Sequence, residues 1–117
     1  INRANAEMAQ VPKPPKTYRQ FIARYPKLGE AWDNITEAGE DGPLDERTRR
    51  LVKLAVAIGA MRPGAVHSSV RKAIGMGISR EEVEQVVALA AGTLGLPSTV
   101  AAFSWVTDLF DDSASTA

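Results

Sequence analysis

The sequence predicts an all-α protein of about six helices, and three observations support this prediction. Apolar residues recur every three or four positions along most of the chain between Thr17 and Phe110, which is the spacing of one helix face. No segment alternates apolar and polar residues in the manner of a half-buried strand. Clusters of proline or glycine interrupt the helical pattern, and both residues end helices.

The amino-terminal part of the chain is predicted to be an arm followed by two short helices. Residues 1–16 contain few apolar side chains and three prolines within four positions, so we expect an extended segment without a core of its own. The first helix has an apolar stripe from Tyr18 to Tyr25 and is interrupted at Pro26, because the proline ring clashes with the preceding turn. The second helix ends in the turn GEDGP at residues 39–43.

A helix–break–helix hairpin is predicted at the centre of the chain. Asp45 caps its first helix, the sequence MRPG at residues 61–64 breaks the pattern, and the second helix continues to Ala73. The sequence GMG at residues 75–77 ends that helix through the left-handed backbone conformation that glycine permits.

Two further helices complete the predicted domain. Ser79 and Glu82 form a capping box, in which each side chain accepts a hydrogen bond from an otherwise unpaired backbone amide at the start of the fifth helix. The sequence GLP at residues 95–97 separates the fifth helix from the sixth. We therefore expect one helical domain over residues 17–112 and a frayed tail over residues 113–117.

The last two helices are apolar on nearly all sides, which is more apolar surface than a chain of 117 residues can cover. One interpretation is a tight core in a six-helix monomer. The other is that one face of each helix is buried against another copy of the chain. We favour self-association and expect an obligate oligomer.

Composition excludes several classes of function. The chain has no cysteine and one histidine, which rules out disulfides and cysteine nucleophiles and argues against a metal site. We expect no cofactor. The 14 basic and 14 acidic residues cancel, so we expect no nucleic-acid partner. There is no apolar run long enough for a membrane span and no signal-peptide pattern, so the default location is the cytoplasm.

The charges are nevertheless segregated along the chain. The segment from Arg47 to Arg80 contains eight basic residues and no acidic residue. One interpretation is that the central hairpin surrounds a small anionic ligand. The other is that these bases form a solvated face, or pair with the acidic residues of the helices from residue 81 onward, in the same chain or across a subunit contact.

Three residues of this segment form the candidate site. His67 is the candidate catalytic residue, because imidazole is the side chain that most readily exchanges a proton near neutral pH. Arg62 and Arg71 are the candidate substrate-binding residues. His67 and Arg71 are four residues apart on one helix face, and Arg62 precedes the helix amino terminus, where backbone amides carry partial positive charge. His67 also borders an apolar stripe, so a purely structural role is the alternative.

The central and last helices are encoded by three consecutive segments: LDERTRRLVKLAVAIGA at residues 44–60, MRPGAVHSSVRKAIGMGIS at 61–79 and REEVEQVVALAAGTLGLPSTVAAFSWV at 80–106. In this order and spacing they resemble the carboxymuconolactone decarboxylase family, which includes the AhpD-like alkylhydroperoxidases. The resemblance implies an AhpD-like all-α fold in which the hairpin helices face a subunit seam. It also implies subunits that associate as trimers of dimers.

The peroxidase branch of this family implies a site that the chain lacks. Its two cysteines correspond to Arg62 and Ala65, its histidine to Ser69 and its upstream glutamate to Arg50. Without a thiol there is neither a peroxide-reducing nucleophile nor a disulfide to form. We therefore expect no thiol peroxidase activity.

The decarboxylase branch is closer to this chain at one position. It carries arginine at the position of Arg62, followed by glutamate and histidine at the positions of Ala65 and Ser69. The histidine of this chain, His67, stands two residues earlier, which is about 200° around a helix. Either His67 belongs to a site that faces a different direction from that of the decarboxylase branch, or the ancestral site is lost.

Two functional hypotheses follow. The first is a cofactor-free decarboxylase or lactone isomerase that acts on a small carboxylated substrate, with Arg62 and Arg71 holding the carboxylate and His67 transferring a proton. The second is a non-catalytic oligomeric binding or scaffold protein that kept the fold and lost the site. Nucleic-acid binding through the basic hairpin is the weakest alternative.

Overall fold

A computed structural model describes the backbone of residues 16–116 and the side chains as far as Asp111. This range contains six helices and no strand: α1 (Lys16–Arg24), α2 (Pro26–Glu40), α3 (Glu46–Gly59), α4 (Pro63–Gly75), α5 (Arg80–Leu94) and α6 (Leu96–Thr116). The predicted all-α fold is confirmed. The predicted arm, Lys16 excepted, lies outside the described residues, and α6 continues to Thr116, beyond the predicted end of the domain at residue 112.

The first of two compact units contains α1 and α2, and the division between the units falls after Glu46. The two helices approach closely at Gly29, which is buried. A Cβ atom at Gly29 would stand 3.1 Å from Cβ of Ile22, so a larger residue at this position would displace Ile22 by a few tenths of an ångström. Large apolar side chains of the unit remain exposed: Phe21, Tyr25, Leu28, Trp32 and Ile35.

The second unit consists of α3 to α6 around one apolar core. α6 packs against both α4 and α5, and α3 contributes three buried side chains to the same core. All the largest fully buried side chains lie on helix faces that the sequence periodicity predicts. They are Leu54, Ile58, Val66, Val70, Val83 and Val106.

The connection between α4 and α5 confirms two predicted caps. Gly77 adopts φ +79°, and the amides of Gly77 and Ile78 each donate a hydrogen bond of 3.0 Å to carbonyls in the last turns of α4, which is a Schellman motif. Ser79 and Glu82 form the predicted capping box, with the Glu82 amide donating to Ser79 Oγ and the Ser79 amide donating to the Glu82 carboxylate. These bonds fix where α4 ends and α5 begins.

Candidate functional site

Two of the three predicted site residues lie on α4, and Arg62 lies directly before it. The helix begins at Pro63, directly after a turn in which Met61 adopts φ +54°, a left-handed conformation that costs a residue with a Cβ about 1 kcal/mol. Arg62 is exposed at the start of the helix, whereas His67 and Arg71 are half-buried. His67 and Arg71 lie one turn apart on one flank of α4. Arg62 is rotated from His67 by about 140° around the helix axis and stands at the amino-terminal end of the helix.

His67 faces a carboxylate that α6 provides. Its Nε2 atom lies 3.8 Å from Oδ2 of Asp108. Nε2 is shielded from solvent and has no hydrogen-bond partner among the residues that the structure describes. The separation from Asp108 is longer than a hydrogen bond, although catalytic hydrogen bonds are often long in proteins without a bound substrate. A base beside a carboxylate in a partly shielded position is suited to proton transfer.

Acidic residues of α5 and α6 also pair with bases at the two ends of the basic segment. Arg47 pairs with Glu82. Arg80 lies 2.9 Å from Glu84 and 3.3 Å from Asp111, and the hydrogen bond to Glu84 is the main cause that raises the pKa of Arg80. Pairing within the chain, which was one interpretation of the basic segment, is confirmed for these two arginines.

A second group of bases lies between α3 and α4. Arg50 Nη1 donates a hydrogen bond of 3.3 Å to Oγ of Ser69, and Ser69 is buried. Lys72 is exposed on the surface of α4. Partial desolvation of its ammonium group among neighbouring atoms lowers its pKa, and three neighbouring positive charges lower it further. They belong to Arg50, Lys53 and Arg71. Neither Lys53 nor Lys72 forms an ion pair with any side chain that the structure describes.

An open groove of about 550 Å³ lies between α3 and α5. Its walls are mainly aliphatic, and none of the three predicted site residues contributes to it. Glu82, the one titratable residue among those that line it, is already held by Arg47 and by the capping box. The groove therefore offers apolar contact rather than acid–base chemistry.

Comparison with known proteins agrees with this architecture. Residues 26–108 match the model of the carboxymuconolactone decarboxylase family. The chain belongs to this family. A solved structure of a carboxymuconolactone decarboxylase family protein from Legionella pneumophila, in its apo form, is similar with a TM-score of 0.72 and 23% sequence identity, over 81% of this chain and 86% of that chain. This likeness shows a shared fold. No curated protein matches the chain in sequence.

Two positions of this chain hold residue types that differ from those of the peroxidase branch of the carboxymuconolactone decarboxylase family. Arg50 and Ser69 correspond, by the resemblance, to the glutamate and the histidine of the peroxidase branch, and the structure shows them in direct contact. These two positions hold a cation and a hydroxyl group in this chain. The chain also has no cysteine, so a thiol mechanism has no nucleophile.

Two residues near these sites were missed by sequence reasoning. Asp108 is remote from His67 in sequence, and no local pattern connects them. Lys72 lies in the basic segment, and sequence reasoning did not single it out, although its position one turn after Ser69 was a usable signal.

In the described part of the chain, no three histidine or carboxylate side chains lie close enough together to hold a metal ion. No described helix has both the length and the hydropathy of a membrane span.

Proposed function

We propose that this carboxymuconolactone decarboxylase family member is a cofactor-free decarboxylase or lactone isomerase that acts on a small carboxylated substrate. The observation that supports the proposal is the position of His67, whose shielded Nε2 lies 3.8 Å from Asp108. His67 is the catalytic residue, and Asp108 is a positioning residue. Arg71, on the same flank, and Arg62, directly before α4, provide positive charge for the carboxylate of the substrate.

The proposed reaction uses the unsaturation of the substrate as the electron acceptor. In decarboxylation, the C–C bond to the carboxylate breaks, CO₂ leaves, and the electron pair passes into a conjugated carbonyl to give an enolate. Protonated His67 then donates a proton to a carbon atom of that enolate and takes up another proton from water, while the Asp108 carboxylate stabilises the imidazolium form. In isomerisation, neutral His67 removes a proton from one carbon atom and returns it to another.

We also propose that the protein works as an oligomer, with the trimer of dimers that the resemblance implies. Large apolar side chains remain exposed on the second unit: Val52, Val56, Leu89, Leu96, Val100 and Phe103. Extended apolar surface of this kind is typical of protein interfaces. Analytical ultracentrifugation should give a mass near six times 12.6 kDa, and a sharp monomer mass at all concentrations would contradict this part of the proposal.

One observation favours a second candidate, a non-catalytic oligomeric binding or scaffold protein. By the resemblance, Arg50 and Ser69 stand at the positions of the glutamate and the histidine of the peroxidase branch. Neither an arginine nor a serine side chain exchanges protons near neutral pH. This observation supports the alternative in which the site of the family is lost. Under this alternative, His67 has only a structural role.

Turnover of unsaturated γ-lactone carboxylates tests the proposal. Release of CO₂ or a change in ultraviolet absorbance is expected for the wild-type protein. His67→Gln should lower kcat/KM by about 10²–10⁴-fold, the usual share of a positioned acid–base group, while the oligomer mass stays constant. Arg71→Gln should mainly raise KM. If His67→Gln and the wild type convert the substrate at equal rates, the proposal is contradicted. If the wild-type protein neither converts any such carboxylate nor is stabilised by one, the scaffold candidate is supported.

A further inference from the structure

Positive charge is concentrated between α3 and α4, away from the flank that carries His67. Arg50 and Lys53 lie one turn apart on α3, and Ser69 and Lys72 lie one turn apart on α4. The hydrogen bond of 3.3 Å from Arg50 Nη1 to Ser69 Oγ joins the two helices at this place. Arg50 and Lys53 are both half-buried, so their charges are less screened than those of fully exposed residues.

The two lysines of this group, Lys53 and Lys72, differ from the bases at the ends of the basic segment. Arg47 and Arg80 both pair with acidic residues of α5. Lys53 and Lys72 have no such pairing among the described side chains. Like charges that are held together raise the free energy of the folded chain, and a bound anion would lower it.

The environment of Lys72 agrees with this view. Although Lys72 is exposed, partial desolvation is the main cause that lowers its pKa, and the charges of Arg50, Lys53 and Arg71 lower it further. An anion bound among these groups would favour the charged ammonium form again. Titratable groups that are perturbed by both burial and specific charges are concentrated at functional sites.

We propose that Arg50, Lys53 and Lys72 form a binding site for a compact oxyanion with two negative charges, such as a phosphate group or two adjacent carboxylates. Lys53 and Lys72 provide the direct contacts, and Arg50 adds a third positive charge beside them. Ser69 is a positioning residue, since its buried hydroxyl accepts a hydrogen bond from Nη1 and fixes the guanidinium plane. The two lysines each add one positive charge, and a dianion neutralises more of this positive charge than a monoanion does.

The site goes beyond the proposed acid–base function and does not depend on it. Lys72 is rotated from His67 by about 140° around α4, and the two groups contact different helices, α3 and α6. Loss of turnover in His67→Gln therefore tests one proposal, and loss of anion binding in a Lys72 variant tests the other.

Isothermal titration calorimetry of the full chain at neutral pH and constant ionic strength tests the site. The probes are inorganic phosphate, malonate and acetate. We expect phosphate, malonate or both to bind at least about tenfold more tightly than acetate. Lys53→Gln and Lys72→Gln should each weaken that binding by about tenfold, as the loss of one charged hydrogen bond predicts. Ser69→Ala should weaken it by about threefold. The control Lys27→Gln makes the same charge change on α2 and should bind like the wild type.

The outcomes separate the two sources of the anion. Binding of phosphate alone assigns a phosphate group, and binding of malonate alone assigns a dicarboxylate. The proposal is overturned if phosphate and malonate bind no more tightly than acetate. It is also overturned if Lys72→Gln binds phosphate and malonate with the affinity of the wild type. If the Lys72 variant does not fold, lysine Nζ resonances of the wild-type protein provide the test: saturating phosphate should raise the pKa of Lys72, and an unchanged pKa overturns the proposal.

Discussion

The two flanks of α4 place their cationic groups in opposite electrostatic settings. On one flank, His67 lies beside the carboxylate of Asp108. On the other, Lys72 lies near Arg50 and Lys53 of α3, and these two charges, together with that of the adjacent Arg71, lower its pKa. A base beside a carboxylate is suited to proton transfer, whereas clustered cations are suited to anion binding. One helix can thus support two kinds of chemistry, because each of its flanks contacts a different neighbouring helix.

The largest expected effect tests whether Asp108 defines the first flank. Asp108→Asn should lower kcat by about 10²-fold with little change in KM, because an amide does not stabilise the imidazolium form. Steady-state kinetics with an unsaturated lactone carboxylate measure both constants. Asp111→Asn is the matched control, since it changes a carboxylate one turn along α6 that contacts Arg80 instead. A kcat in Asp108→Asn equal to that of the wild type would show that the carboxylate does not assist His67.

The second effect tests the opposite flank through its pH dependence. The pKa of Lys72 is lowered from 10.5, so this ammonium group loses its proton at a lower pH than an ordinary lysine. Phosphate affinity should therefore fall by about tenfold as pH rises through that pKa, the effect of losing one charged hydrogen bond. Calorimetry over a series of alkaline pH values measures the fall. Lys72→Arg remains charged throughout, and an identical pH profile in this variant would show that another group titrates.

The fold was more predictable than the site, because a helix face repeats within a few residues. Val66 and Val83 are fully buried, as the periodicity predicts, and the capping box at Ser79 forms as expected. Such features depend on local spacing and on which residues avoid water.

The contacts of the candidate site depend instead on which helices become neighbours. Periodicity places His67 at the border of a buried face, but the approach of Asp108 is set by the packing of α6 against α4. The contact between Arg50 and Ser69 is a different case. By the resemblance, their positions correspond to the glutamate and the histidine of the peroxidase branch. The resemblance therefore indicated these two positions, but an arginine and a serine gave no signal that they form a hydrogen bond.

A smaller effect is expected at the turn that precedes α4 and thereby positions both flanks. Met61 adopts φ +54°, a conformation that glycine takes without the clash of a Cβ atom. Met61→Gly should raise the free energy of unfolding by about 0.5–1 kcal/mol, measured by urea denaturation. Met61→Ala keeps the Cβ atom and should give no such gain. If the glycine variant is less stable than the alanine variant, the backbone conformation of this turn is not a source of strain.

The smallest expected effect concerns the stability of the protein without an anion. Below its folded-state pKa, Lys72 is charged in both the folded and the unfolded chain, and the charged form is the one that the fold disfavours. As pH rises towards 10.5, the folded chain releases this proton first, so the unfolded chain binds more protons and the free energy of unfolding increases.

Lys72→Met keeps an apolar stem without the charge, so it should raise the free energy of unfolding at neutral pH by roughly a few tenths of a kcal/mol and remove that alkaline increase. Urea denaturation at several pH values measures both, with Lys27→Met as the control. A lysine that lowers stability while it provides affinity is the usual compromise at a binding site. If Lys72→Met proves less stable than the wild type, the cations between α3 and α4 do not strain the fold, and the electrostatic contrast between the two flanks of α4 disappears.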